Sequence, residues 1–168
     1  ASIADAISAF EKVEAAASGE VLTETLGGRL RAIRTMGKLA FAHIEDGTGR
    51  IQLFLRVNEL GEGNMAIFKE LFDIGDYIQA SGEVVRTRTG EVSLQVKEFK
   101  MLAKSITPLP AAKDEVVDGV VVRHATLADP ETRYRQRYAD LAVNEDVRKV
   151  FRTRAAIVTA LRSFLDGN

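Results

Sequence analysis

The sequence contains no cysteine. That excludes a disulfide framework, a thiolate metal site and a cysteine nucleophile. It also fits a reducing, cytoplasmic setting. No apolar run approaches the roughly 20 residues needed to span a bilayer, so no membrane partner is expected. The N-terminus has no basic region followed by a cleavage site, so it does not read as a secretory signal. It begins at Ala1 without a methionine, which suits a trimmed protein. No internal repeat, low-complexity tract or Walker-type glycine-rich phosphate loop occurs. Neither histidine, His43 nor His124, has a metal-ligand spacing, and neither is assigned a catalytic role.

Net charge is also nearly absent. At −1 over 168 residues, it argues against wholesale electrostatic capture of nucleic acid. The charge is unevenly spread, however. Ala1–Glu20 is acidic, with Lys12 as its one lysine. Arg29, Arg31, Arg34, Lys38, Arg50 and Arg56 cluster in the next stretch, and a second basic cluster covers Arg123–Arg162. A local basic surface steers polyanions even when the total charge is near zero. From charge alone, a solvated, salt-bridged surface is the alternative.

What is present reads as a small β domain with flanking helices. Ser2–Ala17 is predicted helical, with Ile3, Ile7, Phe10 and Val13 on one stripe. Ser2 and Asp5 make a capping box, and Gly19 follows as a stop. The period then changes. Gly27–Thr35 reads as a strand. Leu39–Glu45 and Arg50–Leu55 flank the turn Asp46-Gly-Thr-Gly49. Tyr77–Thr87 and Glu91–Leu102 flank Arg88-Thr-Gly90. Between the hairpins, Asn64–Phe72 is predicted as a short helix carrying Met65, Phe68 and Phe72 on one side. Three strands, a helix and two strands is the order of an OB-fold, a five-stranded Greek-key barrel.

Beyond the barrel, Ser105–Asp118 is a connector, kept extended by Pro108 and Pro110 and solvated by Asp114, Glu115 and Asp118. Val120–Val122 is a short strand or a packed extension. A long helix starts near Glu145, with Asn144 able to cap it and Glu145 and Asp146 suiting its positive end. Val147, Val150, Phe151, Ile157, Leu161, Phe164 and Leu165 make its apolar face.

Strand alternation assigns the faces of the first hairpin. Ala40, Ala42 and Ile44 pair with Ile51, Leu53 and Leu55 as barrel interior. Leu39, Phe41, His43, Arg50, Gln52 and Phe54 then point outward. An exposed aromatic in a basic groove is how single-stranded nucleic acid is held, each stacked base contributing roughly 1–3 kcal/mol. A neighbouring amide or guanidinium reads the base edge. The alternative is that Phe41 and Phe54 pack beneath the N-terminal helix.

The run Gly28-Arg-Leu-Arg-Ala-Ile-Arg-Thr-Met-Gly-Lys-Leu-Ala-Phe41 resembles the opening of the anticodon-binding domain of class IIb synthetases, with Arg34, Gly37, Lys38 and Phe41 matching. Asp46-Gly-Thr-Gly-Arg-Ile-Gln52 matches as well. Pro130-Glu-Thr-Arg-Tyr-Arg-Gln-Arg-Tyr-Ala-Asp-Leu141 resembles the segment that class II lysyl-tRNA synthetases place between the tRNA-binding and catalytic domains. Phe151–Asn168 is similar to the start of motif 1, which builds the dimer interface in that class. The resemblance divides the chain into an N-terminal helix (residues 1–20), an OB-fold anticodon-binding domain (21–105), a junction segment (106–143) and the beginning of a class II catalytic domain (144–168).

It also implies roles. Phe41 would stack on the central anticodon base, a uridine in lysine tRNA, while Arg34 and Gln52 hydrogen-bond to it. Lys38 and His43 lie on the same nucleic-acid-binding surface. Glu98 would be a further base-reading carboxylate. Strict alternation puts Glu98 on the side of Val92, Leu94 and Val96, and a bulge or the barrel rim would re-aim it. Arg133, Arg135 and Arg137, interleaved with Tyr134 and Tyr138, would seat one domain on the other, since each residue type offers an apolar body and a polar tip. The alternative is direct contact with the tRNA backbone.

The complete enzyme would join lysine to its tRNA using ATP and Mg²⁺ and act as a homodimer. No counterpart of motif 2 or motif 3 occurs in these residues, so the chain is expected to be a fragment inactive by itself, with no cofactor of its own. Two other readings are an aspartyl- or asparaginyl-tRNA synthetase and a non-enzymatic OB-fold module that binds single strands.

Overall fold

A computed structural model describes residues 1–17, 19–107, 109, 114–117, 120–123, 127 and 129–167. The chain divides into two compact units, Ala1–Pro108 and Leu109–Asn168.

The first unit is a closed five-stranded barrel. Its elements are α1 (Ile3–Ala15), β1 (Thr23–Met36), β2 (Leu39–Glu45), β3 (Arg50–Arg56), α2 (Val57–Leu71), β4 (Tyr77–Arg86) and β5 (Val92–Ala103). Around the barrel the order is β1-β2-β3-β5-β4, returning to β1. This is the mainly β, OB-fold architecture expected from the element order. Closure depends on the length of β1. Its first half pairs with β4, its second half with β2, and the register shifts between Leu30 and Ala32. Strands β3 and β5 are parallel neighbours; the other pairings are antiparallel.

The interior follows strand alternation. Ala40 faces Leu55, Ala42 faces Leu53 and Ile44 faces Ile51, and all six are buried. Leu26, Leu30, Ile78, Leu94 and Val96 complete the aliphatic core. Helix α2 closes one end with Leu60, Met65, Phe68 and Phe72. Phe68, Phe72 and Phe99 form a ring cluster with centroids 5.3–5.7 Å apart. The helix begins at Val57, seven residues before the predicted start. Gly61 interrupts it at φ 79°, so the stretch from Asn64 is the turn-free remainder of a kinked helix.

Helix α1 docks on the β2–β3 turn. Ser2 caps it by accepting from the Asp5 N–H. Asp46 then holds two structures at once. One carboxylate oxygen accepts from the Thr48 N–H (2.6 Å) and the Gly49 N–H (2.8 Å), and the other accepts from the Ile3 N–H (2.9 Å). Burial opposes the charge on Asp46, yet these donors outweigh it and hold its pKa below the ordinary carboxylate value. Further along, Arg86 donates to Glu14 at 2.7 Å. The apolar stripe of α1 therefore covers core residues, with Ile3 and Ala6 buried and Ile7 and Phe10 against them.

A bulge settles the orientation of β5. Ser81 faces Glu98 while Gly82 faces Val96, so Lys97 is an extra residue without its own register partner. Side-chain parity flips there: Val96 is buried, Glu98 is exposed, and Phe99 and Met101 pack against the core.

The second unit contains β6 (Asp114–Val117), β7 (Val120–Arg123), α3 (Pro130–Arg135), α4 (Arg137–Val143) and α5 (Glu145–Asp166). Strands β6 and β7 pair antiparallel. Strand β6 lies within the stretch read from sequence as a connector. Two short valine runs separated by Asp-Gly carry a hairpin signal, which the acidic residues obscured. Pro108, Pro110, Asp118 and His124 lie outside the described residues. Asp129 caps α3 by accepting from the Thr132 N–H at 2.7 Å, and Pro130 occupies the first helical turn. Asn144 sits at the N-cap position of α5 without capping it. Its amide turns back instead, donating to Asp140 at 2.7 Å. No residue of α5 is buried, and Val150, Ile157, Leu161, Phe164 and Leu165 are exposed. Arg137 lies 5.7 Å from the Phe151 ring centroid near the start of the apolar stripe of α5.

Candidate nucleic-acid interface

The outer surface of β1, β2, β3 and β5 is organised in cross-strand rows. One row runs Arg34, Phe41, Phe54, Gln95. The next runs Ala32, His43, Gln52, Ser93. Phe41 and Gln52 are diagonal neighbours, a spacing of about 7–8 Å in antiparallel sheets. Thus Arg34, Phe41, His43 and Gln52 share one outward face.

Phe41 is half-buried rather than bare. Its ring stacks on Phe54 with centroids 4.9 Å apart and planes 9° from parallel. Arg56 lies 5.6 Å from the Phe54 centroid on a neighbouring turn of surface. Phe54 therefore covers the β3-side face of Phe41. The opposite face looks toward β1, where Arg34 is the register partner. Neither ring belongs to the core, and α1 docks elsewhere.

Gln52 is held at both ends. Its Nε2 donates to Glu91 at 2.9 Å, and its Oε1 accepts from the Ser93 hydroxyl at 2.9 Å. His43 Nε2 lies 3.0 Å from the other oxygen of Glu91. An ionised carboxylate only accepts, so that imidazole nitrogen carries the proton. Glu91 is fixed in turn by the β4–β5 turn, where Thr87 Oγ1 accepts from its N–H and donates to its carbonyl.

Glu91 is the member of this group that sequence reading missed. Sequence alone makes it only the first residue of a strand. The signal lies in the parallel β3–β5 register, which sets Ser93 opposite Gln52 and so brings Glu91 alongside. Glu98 stands apart. Its register partner is Ser81 on β4, whose own partner is Thr25 on β1. The bulge does turn Glu98 outward, but on a different side of the barrel from Phe41 and Gln52.

Charge at the rim favours a polyanion. Arg34 and Lys38 are exposed, and neither side chain has an ion-pair partner among the described residues. Lys38 sits in the β1–β2 turn next to Gly37, whose carbonyl accepts from Lys69 at 2.6 Å.

The arginines of the second unit behave differently. Asp140 is buried and accepts from Arg133 (3.1 Å) and Arg137 (2.6 Å). Arg135 pairs with Glu131 at 2.7 Å. Arg137 also lies over Tyr134, 4.9 Å from its centroid, while Tyr134 and Tyr138 are 75% exposed. So these guanidiniums are each engaged by a carboxylate within the segment, while both tyrosines stay largely exposed.

Among the described residues, no cluster of His, Asp or Glu could hold a metal ion. No described helix is long and apolar enough to cross a membrane.

Comparison with known proteins agrees with this geometry. A family profile described as an OB-fold nucleic acid binding domain of the tRNA anticodon type matches residues 24–102. The chain is 46% identical over 142 residues to a lysine–tRNA ligase of Pelotomaculum thermopropionicum, covering 84% of this chain and 26% of that protein. The lysine–tRNA ligase of Clostridium tetani is 45% identical over the same shares. That of Clostridium kluyveri is 43% identical over 143 residues. The chain thus spans about a quarter of the length of these relatives. Over that span the chain is similar to the lysine–tRNA ligases, and residues 24–102 carry the OB-fold nucleic acid binding domain of the tRNA anticodon type.

Proposed function

We propose that the chain reads the anticodon loop of lysine tRNA as part of a longer class II lysine–tRNA ligase. The observation that carries this is the half-open Phe41 ring on the outer barrel face, flanked by Arg34 and by the oriented amide of Gln52. An unpaired base stacks on the open ring face. Arg34 and Gln52 then meet its edge, and Lys38 meets the phosphate backbone. His43 and Glu91 brace the polar side of the site. Glu98 is left out of this surface because the barrel separates it from the others.

In the longer enzyme, ATP would activate the lysine carboxylate with Mg²⁺ present, and the ester would form on the terminal adenosine of the tRNA. The solvent-exposed apolar residues of α5 suit the homodimer contact, and the exposed tyrosines around Asp140 suit a junction with the catalytic domain. A cytoplasmic location follows from that role.

The test is a fluorescence-anisotropy titration of the chain with a lysine anticodon stem-loop, its aspartate and asparagine counterparts, and a scrambled loop. The lysine loop binds tightest. Phe41→Ala weakens it by roughly 1–3 kcal/mol, the contribution of one stacked base. Equal affinity for the scrambled loop means a general single-strand binder. An unaffected Phe41→Ala variant means the RNA sits elsewhere.

A further inference from the structure

Ser93 is fully buried and polar, yet nothing in the barrel interior uses it. Its hydroxyl reaches outward to Gln52 Oε1 at 2.9 Å and lies 3.3 Å from the Glu91 carbonyl. We infer that Ser93 is a positioning residue that locks the Gln52 amide with its nitrogen toward the ligand side, so that the site donates to, rather than accepts from, the base edge.

The chemistry leaves one arrangement. Glu91 is a carboxylate and can only accept, so it must face the amide nitrogen. The amide oxygen then needs a donor, and Ser93 supplies the O–H. The Ser93 hydroxyl has a single proton, and the amide oxygen at 2.9 Å is a nearer acceptor for it than the Glu91 carbonyl at 3.3 Å; flipping the amide would set its oxygen against the Glu91 carboxylate. One proton of Gln52 Nε2 goes to Glu91 at 2.9 Å. The second has no partner among the described residues and is left for a ligand. A donor at that point favours a base presenting a carbonyl, as uracil does at C4. It disfavours one presenting an amino group, as cytosine does at the same position. Because β3 and β5 are paired at Gln52–Ser93, the barrel itself fixes the distance between lock and amide.

This inference rests on the reading that Gln52 faces an unpaired base, and two measurements separate them. The first needs no RNA: ¹⁵N relaxation of the Gln52 side-chain amide in the free chain. Wild type gives a rigid amide. Ser93→Ala frees it, and Ser93→Thr, which keeps the hydroxyl, restores it. The second is the affinity ratio between stem-loops with uridine or cytidine at the central anticodon position. Losing one hydrogen bond of about 1 kcal/mol corresponds to roughly fivefold, so Ser93→Ala lowers the uridine-over-cytidine ratio by about fivefold and Ser93→Thr recovers it.

An amide equally rigid in wild type and Ser93→Ala, with an unchanged ratio, overturns the role of Ser93. A mobile amide in Ser93→Ala with no uridine preference in wild type upholds the lock and instead removes Gln52 from base reading. Thermal melts of both variants report whether the barrel is intact. If Ser93→Ala is unfolded, the Ser93→Thr variant decides: a rigid amide with a retained ratio supports the lock, and a mobile amide despite the hydroxyl refutes it.

Discussion

Replacing Gly82 with alanine tests the barrel at its tightest point. A β-carbon there would lie 1.9 Å from the Gln95 carbonyl oxygen and 2.8 Å from its carbon. Both atoms are backbone, so no side chain can swing away. Restoring a contact near 3.0 Å requires β4 and β5 to part by about 1 Å. The separation falls at the bulge, where Gly82 faces Val96. Overpacking of this kind costs about 1–3 kcal/mol. Each ladder hydrogen bond lost adds about 1 kcal/mol. The stiffer alanine backbone returns ~0.5–1 kcal/mol. The net expectation is a loss of about 3 kcal/mol. For a domain of this size each kcal/mol lowers the melting temperature by roughly 4–8 °C, so Gly82→Ala should melt about 12–24 °C below wild type. Gly63→Ala is the control. That glycine is in α2 with nothing within 4 Å of the added carbon, so the change should be neutral or stabilise by up to ~1 kcal/mol. Differential scanning calorimetry of the three proteins decides the matter. If Gly82→Ala melts within about 2 °C of wild type, the close strand approach is not real and the outward turn of β5 loses its explanation.

Asp76 is buried at the α2–β4 turn, where it accepts from Lys104 (2.8 Å), the Ser105 N–H (2.7 Å) and the Asp73 N–H (2.8 Å). Burial raises its pKa, but these donors outweigh that and leave it below the ordinary value. Its stabilising effect is therefore full above the unfolded carboxyl pKa of about 3.9 and disappears as pH falls through the lower folded value. Asp76→Asn leaves a donor unpaired, costing about 2–3 kcal/mol at neutral pH, and flattens the acid limb of the melting-temperature profile. Asp140→Ala should loosen α3 and α4 by about 2 kcal/mol, less than a fully buried pair because Arg133 and Arg137 remain partly solvated. Hydrogen exchange would accelerate in Pro130–Val143 and stay unchanged in the barrel, and protection unchanged in both would refute the role assigned to that carboxylate.

The first hairpin was fully legible in the sequence because one rule governs it. Side chains alternate, the Asp46 turn fixes the register, and small aliphatic residues mark the inside. Phe41 and Gln52 followed directly. Glu98 did not, since a single extra residue at Lys97 inverts everything beyond it and no sequence signal announces that insertion. Glu91 was hidden for another reason. Its importance comes from β3 and β5 lying side by side, a parallel contact between segments some forty residues apart in sequence. Gly61 likewise concealed the first turn of α2, as a left-handed glycine reads as a break. The stacking of Phe54 on Phe41 could be placed on one face from alternation, but the closeness of the rings required coordinates. The family resemblance singled out the surface proposed for base reading, whereas only the fold showed how the Gln52 amide is held.

Closure of the barrel leaves the strands of the first unit no open edge to lend to a ligand. Whatever this domain binds, it cannot bind by adding a strand, and selectivity must come from outward side chains alone. Those side chains alternate with the core along the same two strands, so Phe41, His43 and Gln52 can change while Ala40, Ala42 and Leu53 stay untouched. Such a scaffold lets the outward surface change its chemistry at little cost to folding.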